Sequence, residues 1–356
     1  MSMIPNILSE WPAEGLESVV RCPVCESTSR KKAHEDLRDY AFGAAPGSWT
    51  LWICADCSCG YLDPRPNKAS IALAYSEYYT HHQSAVAPPE SRLARLRRRI
   101  AEAYLNEKYD AAYPDALPGG FHIAQFFPRS RAFLDIYYAR QLPRATVGGG
   151  RLLDVGCGNG AFVQFASRWG WVAEGIDPDP VAVAAAQSAG ANVTQASLDD
   201  LPRRGGTFEH VIVSHVLEHV HDPVRLLRQC FELLVPGGRL WLQTPNMESL
   251  GHKVFGRAWR GLEPPRHLVL FNQGSLHHQL RGAGFEAIRF LLHPGVSEYM
   301  WSQSRMIARK SKSAPDSFSS GLLSTSVGRR MAEIYALLRP ARSEFLTCVA
   351  FRPAAT

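Results

Sequence analysis

The chain has 356 residues, 46% of them hydrophobic and 20% charged, with a formal net charge of +6. That length allows two domains and a sizeable core, and the balance is that of an ordinary globular protein. No run approaches the roughly 18 consecutive apolar residues of a membrane span, and the N-terminus shows no basic-then-apolar signal segment, so a cytoplasmic location is expected.

Residues 1–66 form the first unit. Eight cysteines in a chain read as leaderless argue against a disulfide framework, and four of them fall into two close pairs, "CPVC" (Cys22, Cys25) and "CADC" (Cys54, Cys57). Each pair can give two thiolates to one tetrahedral ion, so these four side chains are expected to hold a structural zinc with no open position for metal catalysis. Reduced thiols without an ion are the plainer alternative, and Cys59 competes with Cys57 on spacing. The stretch between the pairs, "DLRDYAFGAAPGSWTLWI", is expected to form a hairpin.

Residues 67–147 read as a helical connecting region, broken at Pro88-Pro89, between Pro114 and Gly120, and at Pro128. Within it "RLARLRRRI" carries five arginines. The plain reading is a solvated helix face; the sharper one is a docking surface, over 92–99, for an anionic partner such as a phosphorylated substrate, nucleic acid or membrane surface.

"GGG" at 148–150 marks a boundary, and residues 148–356 form the third unit. Short apolar runs ("RLLDVG", "WVAEGID", "ANVTQA", "FEHVIVSH", "GRLWLQTP") alternate with helical stretches ("AFVQFASRWG", "PVAVAAAQSAG", "DPVRLLRQCFELL"). The alternation predicts an α/β fold, a Rossmann-like doubly wound and mostly parallel sheet with helices on both faces. Two later strands, "FEAIRFLLH" and "EFLTCVAFRP", are expected to pair antiparallel at its edge.

"LLDVGCGNGAF" ends a buried strand at Asp154 and turns through Gly156, Gly158 and Gly160 into a helix. Such a loop lets the backbone approach a ligand and points unpaired N–H groups at it. Gly156, Gly158 and Ala161 also satisfy the dinucleotide fingerprint, so the loop alone is a weak signal. "GIDPDP" adds Asp177 at the end of the next strand, where a carboxylate can accept both hydroxyls of a ribose. Asp154, immediately before the loop, suits an ammonium group and disfavours a pyrophosphate, which points to S-adenosylmethionine over a dinucleotide.

"LLDVGCGNGAF", "GIDPDP", "FEHVIVSHVLEHVHDP" and "LLVPGGRLWLQTPN", in this order and spacing, resemble class I S-adenosylmethionine-dependent methyltransferases over roughly 151–293. The resemblance implies a seven-stranded sheet with a reversed last strand. It also implies that Asp154, Gly156, Cys157, Gly158 and Gly160 hold the methionine part, that Asp177 holds the ribose and that Pro178 lies beside the adenine. Ser197 and Leu198 occupy the slot where the family often carries an acid for the adenine amino group, with Asp199 a possible substitute. Ser214 ends the fourth strand at the methyl end of the cofactor.

The order "CPVC…CADC", "GYLDPRP", "YSEYY" is similar to bacterial methyltransferases of sugar and cell-surface glycan pathways, which carry a small N-terminal zinc-binding domain. That resemblance implies a small-molecule acceptor, a sugar, nucleotide sugar or glycan precursor, with or without a phosphate. An RNA methyltransferase whose zinc module grips RNA is the alternative, and a non-catalytic cofactor-binding or interaction protein is a third. A hydroxyl acceptor benefits from a general base, and His215, His219 and His267 are the candidates. His267 ends the run "NMESLGHKVFGRAWRGLEPPRH", within an expected acceptor-pocket insertion at about 246–273. The Trp, Arg and His content of that run suits stacking on a sugar and pairing with phosphate. Glu218 and His219 are expected to fix the loop by hydrogen bonds, and His221 to face solvent at the start of the next helix.

Overall fold

The computed structural model of the chain describes residues 10–75, 90–145, 149–201, 205–292, 296–311, 334–336 and 338–355. Five short strands come first: β1 (Leu16–Glu17), β2 (Arg30–Leu37), β3 (Trp49–Cys54), β4 (Gly60–Leu62) and β5 (Arg65–Pro66). Three helices follow, α1 (Arg92–Tyr109), α2 (Gly120–Gln125) and α3 (Pro128–Phe133), the last running into a π-helical turn at Leu134–Tyr138. The alternating part comprises β6 (Arg151–Val155), α4 (Ala161–Arg168), β7 (Val172–Asp177), α5 (Pro180–Ser188), β8 (Val193–Gln195), β9 (Phe208–Ser214), α6 (Pro223–Leu233) and β10 (Leu234–Pro245). The chain then forms α7 (Leu250–Phe255), β11 (Val269–Leu270), α8 (Gln273–Gly282), β12 (Glu286–Leu291), α9 (Val296–Lys310) and β13 (Phe345–Phe351).

Seven strands make one sheet in the order β12-β13-β10-β9-β6-β7-β8. β8, β7, β6, β9 and β10 are parallel neighbours, while β13 is antiparallel to both β10 and β12. The reversal is therefore made by the last strand, which slots between β10 and the edge strand β12. The two late strands do pair antiparallel, but α9 and the segment after it lie between them, so they are no tight hairpin. The helices start where the sequence supplies caps: Asp179 accepts from the Val181 N–H with Pro180 in the first turn, and Asp222 accepts from the Arg225 N–H with Pro223 behind it.

The 28 residues between the cysteine pairs carry an antiparallel β2–β3 pairing, from Arg30 opposite Cys54 to Leu37 opposite Trp49. Its sheet runs β11-β4-β3-β2, so its fourth strand comes from residues 269–270, far along the chain. Cys22, Val24, Cys54, Cys59 and Tyr61 share one apolar cluster with Val211, Leu217, Leu268, Phe271 and Leu276. The N-terminal unit and the sheet are thus packed on a common core. At the start of the helical connecting region the structure shows a short 3₁₀ turn, Ile71–Tyr75, and residues 76–89 lie outside the described residues.

Candidate active site

The glycine loop joins β6 to α4 across the top of β7. Gly156 and Cys157 both donate to the Ile176 carbonyl, at 2.8 and 3.1 Å. Gly156, Gly158 and Gly160 have φ of +66°, +55° and +70°, a region costly for residues with a side chain. At Gly160 a Cβ would come within 2.7 Å of Ala191 Cβ, and at Gly156 it would collide with Val216, while Gly158 faces open space. The loop is therefore closed on its protein side and open at Gly158, a cradle suited to a ligand. Cys157 is half-buried, with its thiol where a Cβ on Gly175 would fall.

Asp177 is buried and accepts from the Gly158 N–H at 2.8 Å and the Asp179 N–H at 2.9 Å. Burial pushes its carboxyl above the usual range, opposed by those two N–H groups. Pro178 is exposed beside it. Ser197 is an N-cap whose hydroxyl bonds Asp200 at 2.7 Å, Leu198 is half-buried, and Asp199 is engaged by Arg225 at 2.6 Å and Gln229 at 2.8 Å. Asp199 is thus committed to α6.

Asp154 departs from the sequence expectation of a carboxylate open to the methionine end. It is 1% exposed, and one oxygen is ion-paired with Arg140 at 2.9 Å. The other has no hydrogen-bond partner among the described residues. Arg140 stands at φ +47° after the π-turn, with its guanidinium 3.9 Å from the Phe162 ring centroid. The cation on Asp154 is thus Arg140, a residue for which the sequence carries no motif.

At the C-terminal end of β9, beside the glycine loop, the stretch "SHVLEHV" separates its histidines. His215 has φ +56°, and both ring nitrogens are engaged: Nδ1 with Glu218 Oε1 at 3.2 Å and Nε2 with Gln243 Oε1 at 2.9 Å. Gln243 in turn bonds Thr347 at 2.8 Å, so His215 belongs to a fixed network spanning β9, β10 and β13. A ring with both nitrogens occupied is poorly placed to take an acceptor's proton. Ser214, half-buried, precedes it at the strand end.

His219 and His267 come together instead, their rings edge-to-face with centroids 4.7 Å apart. His267 is buried, and its Nδ1 lies 2.7 Å from the Gly261 carbonyl. A carbonyl only accepts, so Nδ1 carries the proton and Nε2 keeps its lone pair. Nδ1 of His219 sits between the Arg266 carbonyl at 3.1 Å and the Tyr75 hydroxyl at 2.9 Å. Glu218, fully buried, accepts from the Thr244 hydroxyl at 2.9 Å. Burial opposes its charge, yet the His215 hydrogen bond and the neighbouring imidazoles hold its carboxyl down to about 2. Burial lowers His267 to about 4, against the pull of Glu263, whose Oε2 is 3.6 Å from Nε2.

Several of these partners carry no signal in the sequence. Tyr75 arrives from the connecting region, and Arg266 is fully buried on Asp39 at 2.7 Å, Glu263 at 3.1 Å and the Ala74 carbonyl at 2.7 Å. Trp259 is 1% exposed and donates to Glu344 at 2.9 Å; Arg260 pairs with Glu263, and Arg257 bonds the carbonyls of Glu35 and Asp36. The Trp and Arg side chains of the 246–273 segment are therefore spent on the fold, not presented for stacking or phosphate pairing as the composition suggested. His221 also differs: it is mostly buried, with Nε2 2.9 Å from the Pro66 carbonyl of β5.

The four cysteines of the two pairs converge. Cys22 and Cys57 sulfurs are 3.6 Å apart, and Cys25 and Cys54 sulfurs 3.5 Å. Zinc–sulfur bonds of about 2.3 Å make a tetrahedron with edges of about 3.8 Å, so the set fits a structural zinc ion. Cys59 is buried outside this set, its carbonyl accepting from the Cys54 N–H at 2.9 Å. Among the described residues, Glu218, His219 and His267 are the other group whose ligating atoms lie within 4.8 Å of one another.

This strand order, with the glycine loop and an acid closing the second strand, is the architecture of class I S-adenosylmethionine-dependent methyltransferases. Residues 128–289 match the family model described as a methyltransferase domain. A ubiquinone biosynthesis O-methyltransferase of Xanthomonas euvesicatoria is 39% identical over 110 residues, 29% of this chain and 46% of the relative. The counterpart from Xanthomonas axonopodis is 40% identical over 105 residues, 28% of this chain and 44% of the relative. The chain thus spans under half the length of the curated relatives it matches. Similar solved structures include phosphoethanolamine N-methyltransferase 2 of Haemonchus contortus (18% identity, TM-score 0.45, covering 86% of this chain and 63% of that one). Another is an Archaeoglobus fulgidus methyltransferase (19% identity, TM-score 0.42, covering 65% and 99%).

Proposed function

We propose that this chain transfers a methyl group from S-adenosylmethionine to a hydroxyl-bearing small molecule of the sugar, nucleotide-sugar or glycan-precursor type. The observation that carries the reading is the His219–His267 pair beside buried Glu218, a cluster to which residues from distant parts of the chain contribute. Tyr75 comes from the connecting region, Glu218 and His219 follow β9, and His267 comes from the segment tied to the N-terminal sheet.

The cofactor brings a methyl group on a sulfonium, already activated for in-line displacement. The chain's own work is to bind, align and deprotonate. The loop at Gly156–Gly160, the Asp154–Arg140 pair and Asp177 would hold the cofactor, with Ser214 and His215 shaping its methyl end. His267, with Nδ1 committed to Gly261, offers Nε2 to the acceptor proton, and Glu263 and Glu218 would offset the charge that forms. His219 would orient the acceptor beside it.

The similarity to the Xanthomonas enzymes favours a second reading, O-methylation of a phenolic ring. One screen separates these readings. Purified protein is tested for cofactor binding by calorimetry, then for methyl transfer to nucleotide sugars, free sugars, catechols and RNA. Transfer to sugars, lost about 100-fold or more in His267→Ala with cofactor affinity unchanged, is the expected result. Transfer only to a catechol or to RNA would overturn the sugar reading, and absence of cofactor binding would overturn every catalytic one.

A further inference from the structure

The surface opposite in character to the buried acceptor region is the first half of α1 with the turn after α2. Leu93, Leu96, Ile100, Ala103 and Tyr104 recur at helical spacing and share one stripe of α1. The C-terminal half of that stripe is covered: Tyr104 is 2% exposed, its ring stacks on Phe121, and Gly120 packs against Ala103 and Ile100. The N-terminal half is uncovered, with Leu93 56% and Leu96 44% exposed. Since α2 rests on this same stripe, the residues it turns outward lie on the same side of α1: Ile123 is 40% exposed, Phe126 82% and Phe127 54%. Exposed apolar residues scattered singly need no explanation, but five large ones on one side of a helix pair do.

The arginines sort themselves around this stripe. At 3.6 residues per turn Arg92 and Arg99 border it on one side and Arg97 on the other. Arg95 and Arg98 lie on the far side, where Glu90 and Glu102 hold Arg98 at 3.2 and 2.7 Å. The acids thus neutralise the back of the helix and leave the borders of the apolar stripe cationic. Among the described residues Arg92 and Arg97 have no acidic partner.

We infer that this face docks the protein on an anionic lipid bilayer, with α1 lying in the headgroup plane. Leu93, Leu96, Ile123, Phe126 and Phe127 enter the acyl boundary, while Arg92 and Arg97 reach sideways to lipid phosphates. Charge complementarity selects the partner: cations flank the apolar stripe and acids are kept to its back. Nucleic acid would use the arginines but offer nothing to the aliphatic Leu93, Leu96 and Ile123, and a basic face repels a second copy of itself.

The test is flotation of the full-length, zinc-loaded protein with vesicles of phosphatidylcholine alone or mixed with phosphatidylglycerol, at low and high salt. Binding to the mixed vesicles should exceed binding to the neutral ones by about tenfold or more and weaken with salt. Arg92→Glu/Arg97→Glu should remove the anionic preference, and Phe126→Ser/Phe127→Ser should lower binding at every salt concentration, both with cofactor affinity intact. Equal binding to the two vesicle types would overturn the proposal. So would binding that is insensitive to the phenylalanine pair. Sedimentation showing a dimer dissolved by the same variants, or RNA bound through the arginines with no binding to either vesicle type, would assign the face to those partners instead.

Discussion

His267 and Glu218 stand side by side in one buried cluster and titrate in different windows. An unfolded chain protonates a histidine near 6.5, whereas burial holds His267 at about 4, so the unfolded state takes up that proton first. Folding stability is therefore complete above about 6.5 and falls as the pH drops towards 4. Glu218 acts lower: its carboxyl, held at about 2 against an ordinary 4.5, stabilises the fold above 4.5 and loses that contribution as the pH falls towards 2. Urea midpoints measured across this range should fall in two steps. His267→Gln should flatten mainly the upper step and Glu218→Gln mainly the lower one, each by on the order of 3 kcal/mol between its limits, with a smaller shift of the other step because the two groups face each other. A single step unchanged by either substitution would contradict the burial of both groups.

At the scale of elements, the parallel sheet was legible because its central strands are buried on both faces and two of its helices, α5 and α6, begin at Asp-Pro pairs. The glycine loop was legible for a steric reason, since three positive φ values in five residues demand glycine. The segment from 246 to 273 was not. Its Trp and Arg residues read as ligand-binding, but their partners, Glu344, Asp39 and the carbonyls of 35 and 36, lie far away in sequence. The same blindness applied to the histidines of "SHVLEHVHDP", whose different roles depend on Gln243, Tyr75, Arg266 and Pro66. Glu344 shows what such a partner does. Fully buried, it accepts from the indoles of Trp259 and Trp301 at 2.9 and 2.8 Å and from the Gly251 N–H at 2.9 Å, pinning α7, α9 and the start of β13 together. A Cβ at position 251 would collide with this carboxylate, so Gly251→Ala should cost about 1–3 kcal/mol, read as a lowered thermal midpoint. Ser249→Ala, which removes the cap of α7 and a hydroxyl that also bonds Glu344, should cost about 1–2 kcal/mol.

For the whole molecule, the decisive joint is between the N-terminal sheet and the methyltransferase domain. β11 supplies a strand to the cysteine-bearing sheet two residues after His267, Asn272 caps α8 while its amide bonds the Cys57 carbonyl at 2.8 Å, and Gln279 reaches the Val24 carbonyl at 2.8 Å. Arg266 adds a buried bond to Asp39 on the same side. The cysteine knuckles are thus linked to the His219–His267 cluster through a few hydrogen bonds, while the glycine loop and Asp177 belong to β6 and β7, supported by α4 and α5. A metal at the four thiols would hold both knuckles in register and, through β11, hold His267 in place. Stripping the metal, or replacing Cys54 with Ser, should therefore abolish methyl transfer while leaving cofactor affinity within about threefold of the intact protein. Amide exchange would locate the effect: faster exchange at 50–62 and 266–272, with β6 and β7 still protected. If cofactor binding and protection of β6 were lost together with the metal, the two halves would fold as one cooperative unit, and the cysteine site would support the whole sheet, not the acceptor side alone.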